Sequence, residues 1–507
     1  MSIRKNILAN YISQIYVTVI GIVMLPVYLR YMGAEAFGLV GFFIMMNAWF
    51  QLLDMGLTPT LARETARFRG GATDAATLLG LLRSLEYIFF GVAVAGAAAI
   101  FMLSDRISTV WLGVQHLPLA EVTVAVVLMG LIVPVRWVSG LYRGAINGFE
   151  RQIWLGGFNV LIATPRFVGV LLVFETMGAT PTLFFSYQLV VALMEVAGLI
   201  FMTYFLMPRR AKGTPRFVSW GALRGVLGFS MTIAFTASVW VFVTQTDKLV
   251  LSKLLSLEEY GYFTLAVLVA GGVNVIGAPI AQALLPRLAK LAAEGNEAGV
   301  IALYRQTTQL VCVLAAPASM VLAAFAYPVL WAWTGDHHVA SQAAPILSLY
   351  ALGNGLLALS AFPYYLQYAK GNLRLHLIGH ALLLVLLIPA LLWATWQYGA
   401  WGAGCVWVTV NGLYFFGWTP LVHGHLAKGL HWQWLTRDIA PIALSVALAA
   451  FGLASIFSWP SGRMASAAMA VGIGSALLLL AIMASSVARD WLLIRLGVFQ
   501  SKPASRA

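Results

Sequence analysis

Charge is scarce in this chain: of 507 residues only 10% are Asp, Glu, Lys or Arg, where soluble domains carry about 25%. Apolar residues fill the space instead, at 61% of the chain with a mean hydropathy of +0.86. A surface so poor in charge excludes a soluble globular enzyme. Long polar stretches are lacking too, the longest being the tail from Ala488 to Ala507. That leaves no room for a water-exposed catalytic domain or a nucleotide-binding lobe. The phosphate-cradling GxxxxGK[ST] pattern is absent, which removes the usual ATP site. Cysteine is rare: Cys312 and Cys405 both fall in apolar runs, where a thiol is a small apolar filler, so no disulfide framework exists.

Acidic residues are outnumbered, 18 against 31 basic, for a net charge of +13. Nucleic acid would be one partner for such a surplus, but basic residues in a polytopic protein first report orientation. With the N-terminus in the cytoplasm and alternating crossings, all but seven of the 31 basic residues fall on the inner side. The seven are Arg30, Arg106, Arg136, Arg166, Lys248, Lys253 and Arg463. Topology therefore accounts for the surplus, and no nucleic-acid partner is expected. Arg4 and Lys5 precede an apolar run to Leu29 that is longer than a signal h-region, although Ala34-Glu35-Ala36 imitates a cleavage site. A retained first helix is expected.

A crossing helix needs about 20 apolar residues. Runs of that kind lie near residues 7–29, 36–58, 80–103, 119–142, 153–174 and 183–206, then 225–246, 260–285, 306–328, 343–366, 376–396 and 401–422, with two more at 439–458 and 464–487. The expectation is an all-α polytopic membrane protein of about 14 transmembrane helices with both termini cytoplasmic. The two sets of six resemble each other at an offset of 221 to 227 residues. Gly33-Ala34-Glu35-Ala36-Phe37-Gly38 matches Ser256-Leu257-Glu258-Glu259-Tyr260-Gly261, Pro59 to Arg63 matches Pro286 to Lys290, and Trp111-Leu112-Gly113 matches Trp333-Thr334-Gly335. Gly148 and Arg151 match Gly371 and Arg374, and Gly178-Ala179 matches Gly399-Ala400. Each match stands at the corresponding joint. An even number of spans per repeat gives two lobes of one orientation, with a substrate path expected between them. The expected domains are an N-terminal six-helix lobe at 1–210, a C-terminal six-helix lobe at 211–425, and two accessory helices with a cytoplasmic tail at 426–507.

Three segments carry a family resemblance. They are Leu25-Pro26-Val27-Tyr28-Leu29-Arg30-Tyr31-Met32-Gly33 leading to Phe37-Gly38, Tyr142 through Arg151, and the central run Thr246 through Leu251, Glu259 through Phe263 and Ala283 through Leu288. Over residues 1 to 425 the chain resembles the polysaccharide transporter branch of the multidrug/oligosaccharidyl-lipid/polysaccharide exporter superfamily, the O-antigen and repeat-unit flippases. The resemblance implies two six-helix lobes around a cavity and a polyprenyl-diphosphate-linked glycan as substrate, moved by alternating access across a bacterial inner membrane. Membrane lipids and polysaccharide assembly proteins are the further candidate partners. It implies no covalent chemistry and no cofactor. Its motifs mark helix joints, so they speak to fold more than to substrate.

Ionisable groups at mid-span are expensive in hydrocarbon and mark sites by default. Arg166 lies 12 residues before the Gly178–Leu183 turn and Glu195 lies 12 after Leu183, which places both about 18 Å below it. They are either a permanent pair or a phosphate-binding arginine with a coupling carboxylate, and Thr164-Pro165 loosens the helix just before Arg166. Arg136 and Arg143, seven residues apart, share a helical face and suit either phosphate capture or inner-side anchoring. Asp247 and Lys248 end the seventh span, Asp247 as a second coupling candidate and Lys248 as substrate contact or snorkelling anchor. Arg30 closes the first span with the same two readings. Gln14, Asn47, Gln51, Asp54, Asn159, Gln188, Asn274, Gln282, Asn354 and Asn411 satisfy one another or line a sugar path, with Trp49, Trp137, Trp240 and Tyr350 as candidate stacking surfaces. His376 and His380, and the group His423, His425 and His431, lack the further ligands that zinc needs, so no metal site is expected. Asp336-His337-His338 reads as a solvated outer turn. The rival functions are a cation-coupled drug exporter, which mid-span Arg166 disfavours, and a membrane-embedded glycan polymerase or ligase, which short outer loops disfavour.

Overall fold

The computed structural model describes residues 3–208, 238–275 and 277–495. The expected inner charges Arg209, Arg210, Lys212, Arg216, Arg224, Lys502 and Arg506, and much of the seventh span, lie outside the described residues, as does the side chain of Gln282. Ten of the described helices are long and apolar enough to cross a membrane, and the chain is an all-α, multi-pass membrane protein. Two of those segments, Ile12–Asp54 of 43 residues and Arg374–Leu426 of 53, are about twice the length that about 30 Å of hydrocarbon requires. Each is bent at a glycine whose backbone leaves the helical region, Gly33 (φ 81°) and Gly399 (φ 58°). Both bends fall at joints expected between consecutive spans. Only glycine takes such dihedrals at no steric cost.

The chain divides into two compact units, Met1–Gly261 and Tyr262–Ala507. In the first unit, α1 (Ile3–Phe50) is followed by the short α2 (Leu57–Arg69), then α3 (Ala75–Arg106), α4 (Leu119–Gly148), α5 (Gln152–Thr164), α6 (Val170–Met177) and α7 (Pro181–Leu206). A helix continues over 238–254 (α8), and α9 (Leu257–Val275) begins just before the unit ends. Asp54 launches α2 by accepting from the Thr58 hydroxyl (2.5 Å) and amide (3.3 Å). The buried residues of α2 are Leu57, Thr60, Leu61, Glu64 and Thr65. This face lies against α4 at Gly144 and Gly148: a Cβ at either would stand 2.7 Å from the Thr58 carbonyl oxygen or 2.4 Å from that of Ala62. The glycines of the Tyr142 to Arg151 motif thus serve close packing.

The joint that follows α8 has a reciprocal contact. A Cβ at Gly38 would meet the carbonyl oxygen of Leu257 at 2.1 Å, and one at Gly261 would meet that of Ala34 at 2.3 Å. Ala34 corresponds to Leu257, and Gly38 to Gly261, at the same offset of 223. The Glu35 carboxylate beside this contact accepts the backbone N–H groups of Gln115 (2.6 Å), His116 (3.0 Å) and Leu117 (3.0 Å) and pins the α3–α4 loop.

In the second unit α10 (Gly277–Ala293), α11 (Glu297–Ala324), α12 (Ala326–Thr334), α13 (His337–Ala369) and the bent α14 (Arg374–Leu413) precede the short α15 (Thr419–Leu426) and α16 (Leu430–Gln433). The expected accessory helices are α17 (Ala440–Ile456) and α18 (Arg463–Ala484), followed by α19 (Ser486–Arg495). Polar bonds fasten them to α11. Arg305 donates to Asp438 through Nε (2.6 Å) and a terminal nitrogen (3.1 Å), and Gln309 donates to Asp438 (2.8 Å) while accepting from Ser485 (2.8 Å). Asp438 is only 1% exposed, so its charge depends on these donors.

Candidate functional site

The first unit holds a polar cluster inside its crossing helices. Arg136 and Arg143 lie on α4, while Gln188 and Glu195 lie on α7. Seven residues return a helix to nearly the same face about 10.5 Å along its axis, so each helix shows a pair of polar groups two turns apart. The pairs meet in register. A terminal nitrogen of Arg136 donates to the Gln188 side-chain oxygen (2.7 Å), and one of Arg143 donates to a Glu195 oxygen. Both contacts join residues 52 apart, so the two helices run parallel here, as expected of the fourth and sixth spans. Arg143 also donates to Asn159 on α5.

The fifth span supplies the third arginine. Pro165 has no N–H for the α-helical ladder, and the five residues Pro165–Gly169 form a π-helical turn. Side chains from other helices take up three successive carbonyls there. The Tyr187 hydroxyl donates to Pro165 O (2.9 Å), the Gln188 amide to Arg166 O (2.9 Å), and the Tyr28 hydroxyl to Phe167 O (2.7 Å). Gly169 makes room for this arrangement, since a Cβ there would fall 2.2 Å from the Tyr187 hydroxyl oxygen. The turn delivers the Arg166 guanidinium to the second oxygen of Glu195. Glu195 therefore sits between two arginines, one per oxygen.

The balance of charge is uneven. Three guanidinium groups face one carboxylate, Gln188 being neutral, which leaves a surplus of two positive charges inside apolar helices. The Glu195 side chain is 5% exposed, whereas Arg143 keeps 28% and Arg166 19%. Arg136 lies over the Phe43 ring at 5.0 Å, a cation–π contact that helps to hold the charge in place. Among the described residues the buried Nε–H groups of Arg136 and Arg166 find no hydrogen-bond partner. A buried unmade bond costs about 1–3 kcal/mol, and these two donors suit an oxyanion.

The structure thus brings together Arg136, Arg143, Arg166 and Glu195. It places the other expected residues differently. Lys248 donates to Asp247 (3.0 Å) and to the Thr244 carbonyl (2.6 Å), forming a pair on one helix, and Arg30 is exposed three residues before the Gly33 bend. Among the candidate stacking aromatics, Trp137 is buried and stacked on Phe89, and Tyr350 on Trp407, as core residues. Trp49 meets Phe242 edge to face, and Trp240 is exposed. Asn354 bonds to Ala270 O and Trp407, and Asn411 to Trp407 O. Asp336 caps α13 through the amides of His338 and Val339, and His423 bonds to Tyr304 and His431. Among the described residues no three His, Cys, Asp or Glu side chains gather as a metal site. Tyr28 and Tyr187 were not readable as site residues, because only the π turn of another helix gives their hydroxyls a task.

Comparison with known proteins places these features in a lineage. Residues 3–292 match a family model described as polysaccharide biosynthesis protein. An O-antigen transporter of Shigella flexneri is 21% identical over 416 residues, 80% of this chain and 94% of that protein. Among solved structures, the lipid II flippase MurJ in an inward closed conformation superposes with a TM-score of 0.69 at 12% identity, covering 97% of this chain and 99% of that one. An inward-facing multidrug resistance transporter of the MATE family, in the MOP superfamily, gives 0.63 at 14% identity, covering 81% and 96%. These two likenesses establish the fold.

Proposed function

Because this chain belongs to the polysaccharide biosynthesis protein family, we propose that it is a flippase carrying a polyprenyl-diphosphate-linked oligosaccharide from the cytoplasmic to the periplasmic leaflet of a bacterial inner membrane. One observation carries this reading: the arginine-rich cluster has two surplus positive charges and two unpartnered buried N–H donors within crossing helices. A diphosphate cannot enter hydrocarbon without such partners. Its oxygens replace Glu195 on Arg143 and Arg166 and take the free Nε–H donors, while the lipid tail stays in the bilayer. Arg fits the task because its planar fork binds phosphate with two parallel bonds. The relative named as an O-antigen transporter and the solved structure named as a lipid II flippase support a lipid-linked glycan as cargo.

Transport proceeds by alternating access, the cluster being exposed in turn to each side. In this reading the chain crosses the membrane 14 times, in lobes at 1–210 and 211–425 with accessory helices at 426–507, and both termini are cytoplasmic. The two long bent helices and the reciprocal contact at the 223-residue offset support that count and repeat. Energy comes from an ion gradient, the membrane potential or removal of product. The MATE-like fold also admits drug export, but a cavity for organic cations would not carry surplus arginines.

Proteoliposomes loaded with a fluorescent polyprenyl-diphosphate-linked sugar test the proposal, with dye efflux as the parallel assay. Sugar movement that Arg166→Ala abolishes at normal protein level is the expected result. Dye efflux without sugar movement would replace this reading with the drug exporter.

A further inference from the structure

The parallel register of α4 and α7 makes two equivalent rungs, Arg136 with Gln188 and Arg143 with Glu195, each joining residues 52 apart. One rung carries a carboxylate and the other an amide of nearly the same shape. We propose that Gln188 is the specificity-determining residue of this site, a neutral rung that positions Arg136 without neutralising it and so fits the cluster to the two charges of a diphosphate diester. The inference rests on the reading of the cluster as the headgroup site.

Charge arithmetic carries the first part. With an amide at 188, three guanidinium groups face one carboxylate and the surplus is two. A carboxylate there would reduce the surplus to one. A sugar–diphosphate–prenyl diester bears one ionised oxygen on each phosphorus, and it matches the surplus that Gln188 preserves. A monophosphate diester bears one charge and matches the cluster that a second glutamate would leave.

Hydrogen-bond chemistry carries the second part. The Gln188 oxygen accepts from Arg136 (2.7 Å) and its amide nitrogen donates to the Arg166 carbonyl (2.9 Å). A primary amide accepts from a guanidinium and donates to a carbonyl from one planar group, whereas an ionised carboxylate can only accept. The network fixes its orientation, since the flipped form would set N–H against N–H and oxygen against oxygen. One side chain therefore spaces the Arg136 guanidinium from the Arg166 backbone, on a π turn that Tyr187 and Tyr28 hold at the neighbouring carbonyls. The Gln188 side chain engages the terminal nitrogen of Arg136 and leaves its Nε–H, like that of Arg166, without a partner among the described residues. Each arginine thus retains one buried donor for the ligand.

The test uses the full-length protein in detergent micelles and two synthetic probes, N-acetylglucosamine joined to farnesol through a diphosphate or through a monophosphate. Binding is read by titration calorimetry, with a melting temperature for every variant. Wild-type protein should prefer the diphosphate probe by about tenfold or more, the worth of one charge-assisted contact. Gln188→Glu should weaken diphosphate binding by about tenfold while monophosphate binding changes less than about twofold, so the preference collapses. Gln188→Met, apolar and of similar volume, keeps the charge surplus but loses the positioning, so both probes should weaken several-fold together. A preference that survives Gln188→Glu overturns the proposal. If that variant does not fold, wild-type affinities in Gln188→Met overturn it instead. Arg166→Ala separates this inference from its premise: unchanged binding of both probes there would sink the headgroup reading itself, whereas weakened binding beside an unaltered Gln188→Glu preference sinks only the role of Gln188.

Discussion

Removing Glu195 should cost this protein more than removing either arginine it holds. Glu195 is the single carboxylate among three guanidinium groups, with one oxygen on Arg143 and the other on Arg166. Breaking a buried ion pair by deleting one partner costs about 3–5 kcal/mol, because the remaining charge is stranded. Glu195→Ala strands two arginines at once, and their side-chain exposures of 28% and 19% relieve that only in part. Arg166→Ala leaves Glu195 on Arg143 and should cost about 1 kcal/mol, the worth of one redundant contact. For a unit the size of Met1–Gly261, roughly 2–4 °C per kcal/mol converts these into losses of roughly 6–20 °C and roughly 2–4 °C. Thermal unfolding of purified protein, followed by fluorescence-detected gel filtration, measures both. The double variant Arg166→Ala/Glu195→Gln should recover only part of the loss, because Arg143 still lacks a carboxylate. Full recovery would show that Glu195 serves Arg166 alone. A Glu195→Ala protein as stable as wild type would refute the account of the cluster. Transport by the same variants separates stability from function: if the diphosphate displaces the Glu195 carboxylate from Arg143 and Arg166, Glu195→Gln should be destabilised and should also transport less per folded molecule than wild type, with altered pH dependence.

Gly169→Ala should displace the Tyr187 hydroxyl from the Pro165 carbonyl and lower lipid-linked sugar transport with little change in expression; wild-type transport would remove the π turn from the mechanism. Gly148→Leu should detach α2 from α4 and abolish folded protein by gel filtration, since a Cβ there already meets the Ala62 carbonyl oxygen at 2.4 Å. Glu150 is held below the usual carboxylate range by the hydrogen bond and charge of Arg69, 2.7 Å away. Its contribution is present above the unfolded-state pKa and is lost as pH falls through the depressed folded value. Amide exchange around the Gly148 turn should therefore be faster in Arg69→Gln than in wild type at neutral pH, with the difference closing as Glu150 is protonated, and identical profiles would dismiss the pair. Reporter fusions after Thr73 should read cytoplasmic and those after Gln115 and Asp336 periplasmic, and the opposite pattern would invert the topology.

Much of this architecture follows from one-dimensional quantities. Hydrocarbon admits only helices, whose backbone bonds close within the segment, or closed β-barrels, and continuous apolar runs of about 20 residues fit helices alone, so composition and run length dictate an all-α membrane protein, and the bends at Gly33 and Gly399 fall at joints visible as breaks in apolar runs. That Arg166 and Glu195 stand at matching levels on their helices was legible as well, because 1.5 Å per residue turns equal sequence distances from a turn into equal heights. Azimuth was not. Whether a residue faces a neighbour depends on how helices pack, so only the tertiary structure shows that Arg143 shares Glu195 with Arg166, that Gln188 stands opposite Arg136, and that Lys248 turns to Asp247 instead. The π turn at Pro165 was foreshadowed only as a loosened helix. Its partners Tyr28 and Tyr187 come from two other helices, 139 and 22 residues away along the chain, and a freed carbonyl selects its donor by proximity in space, which no spacing along the sequence encodes.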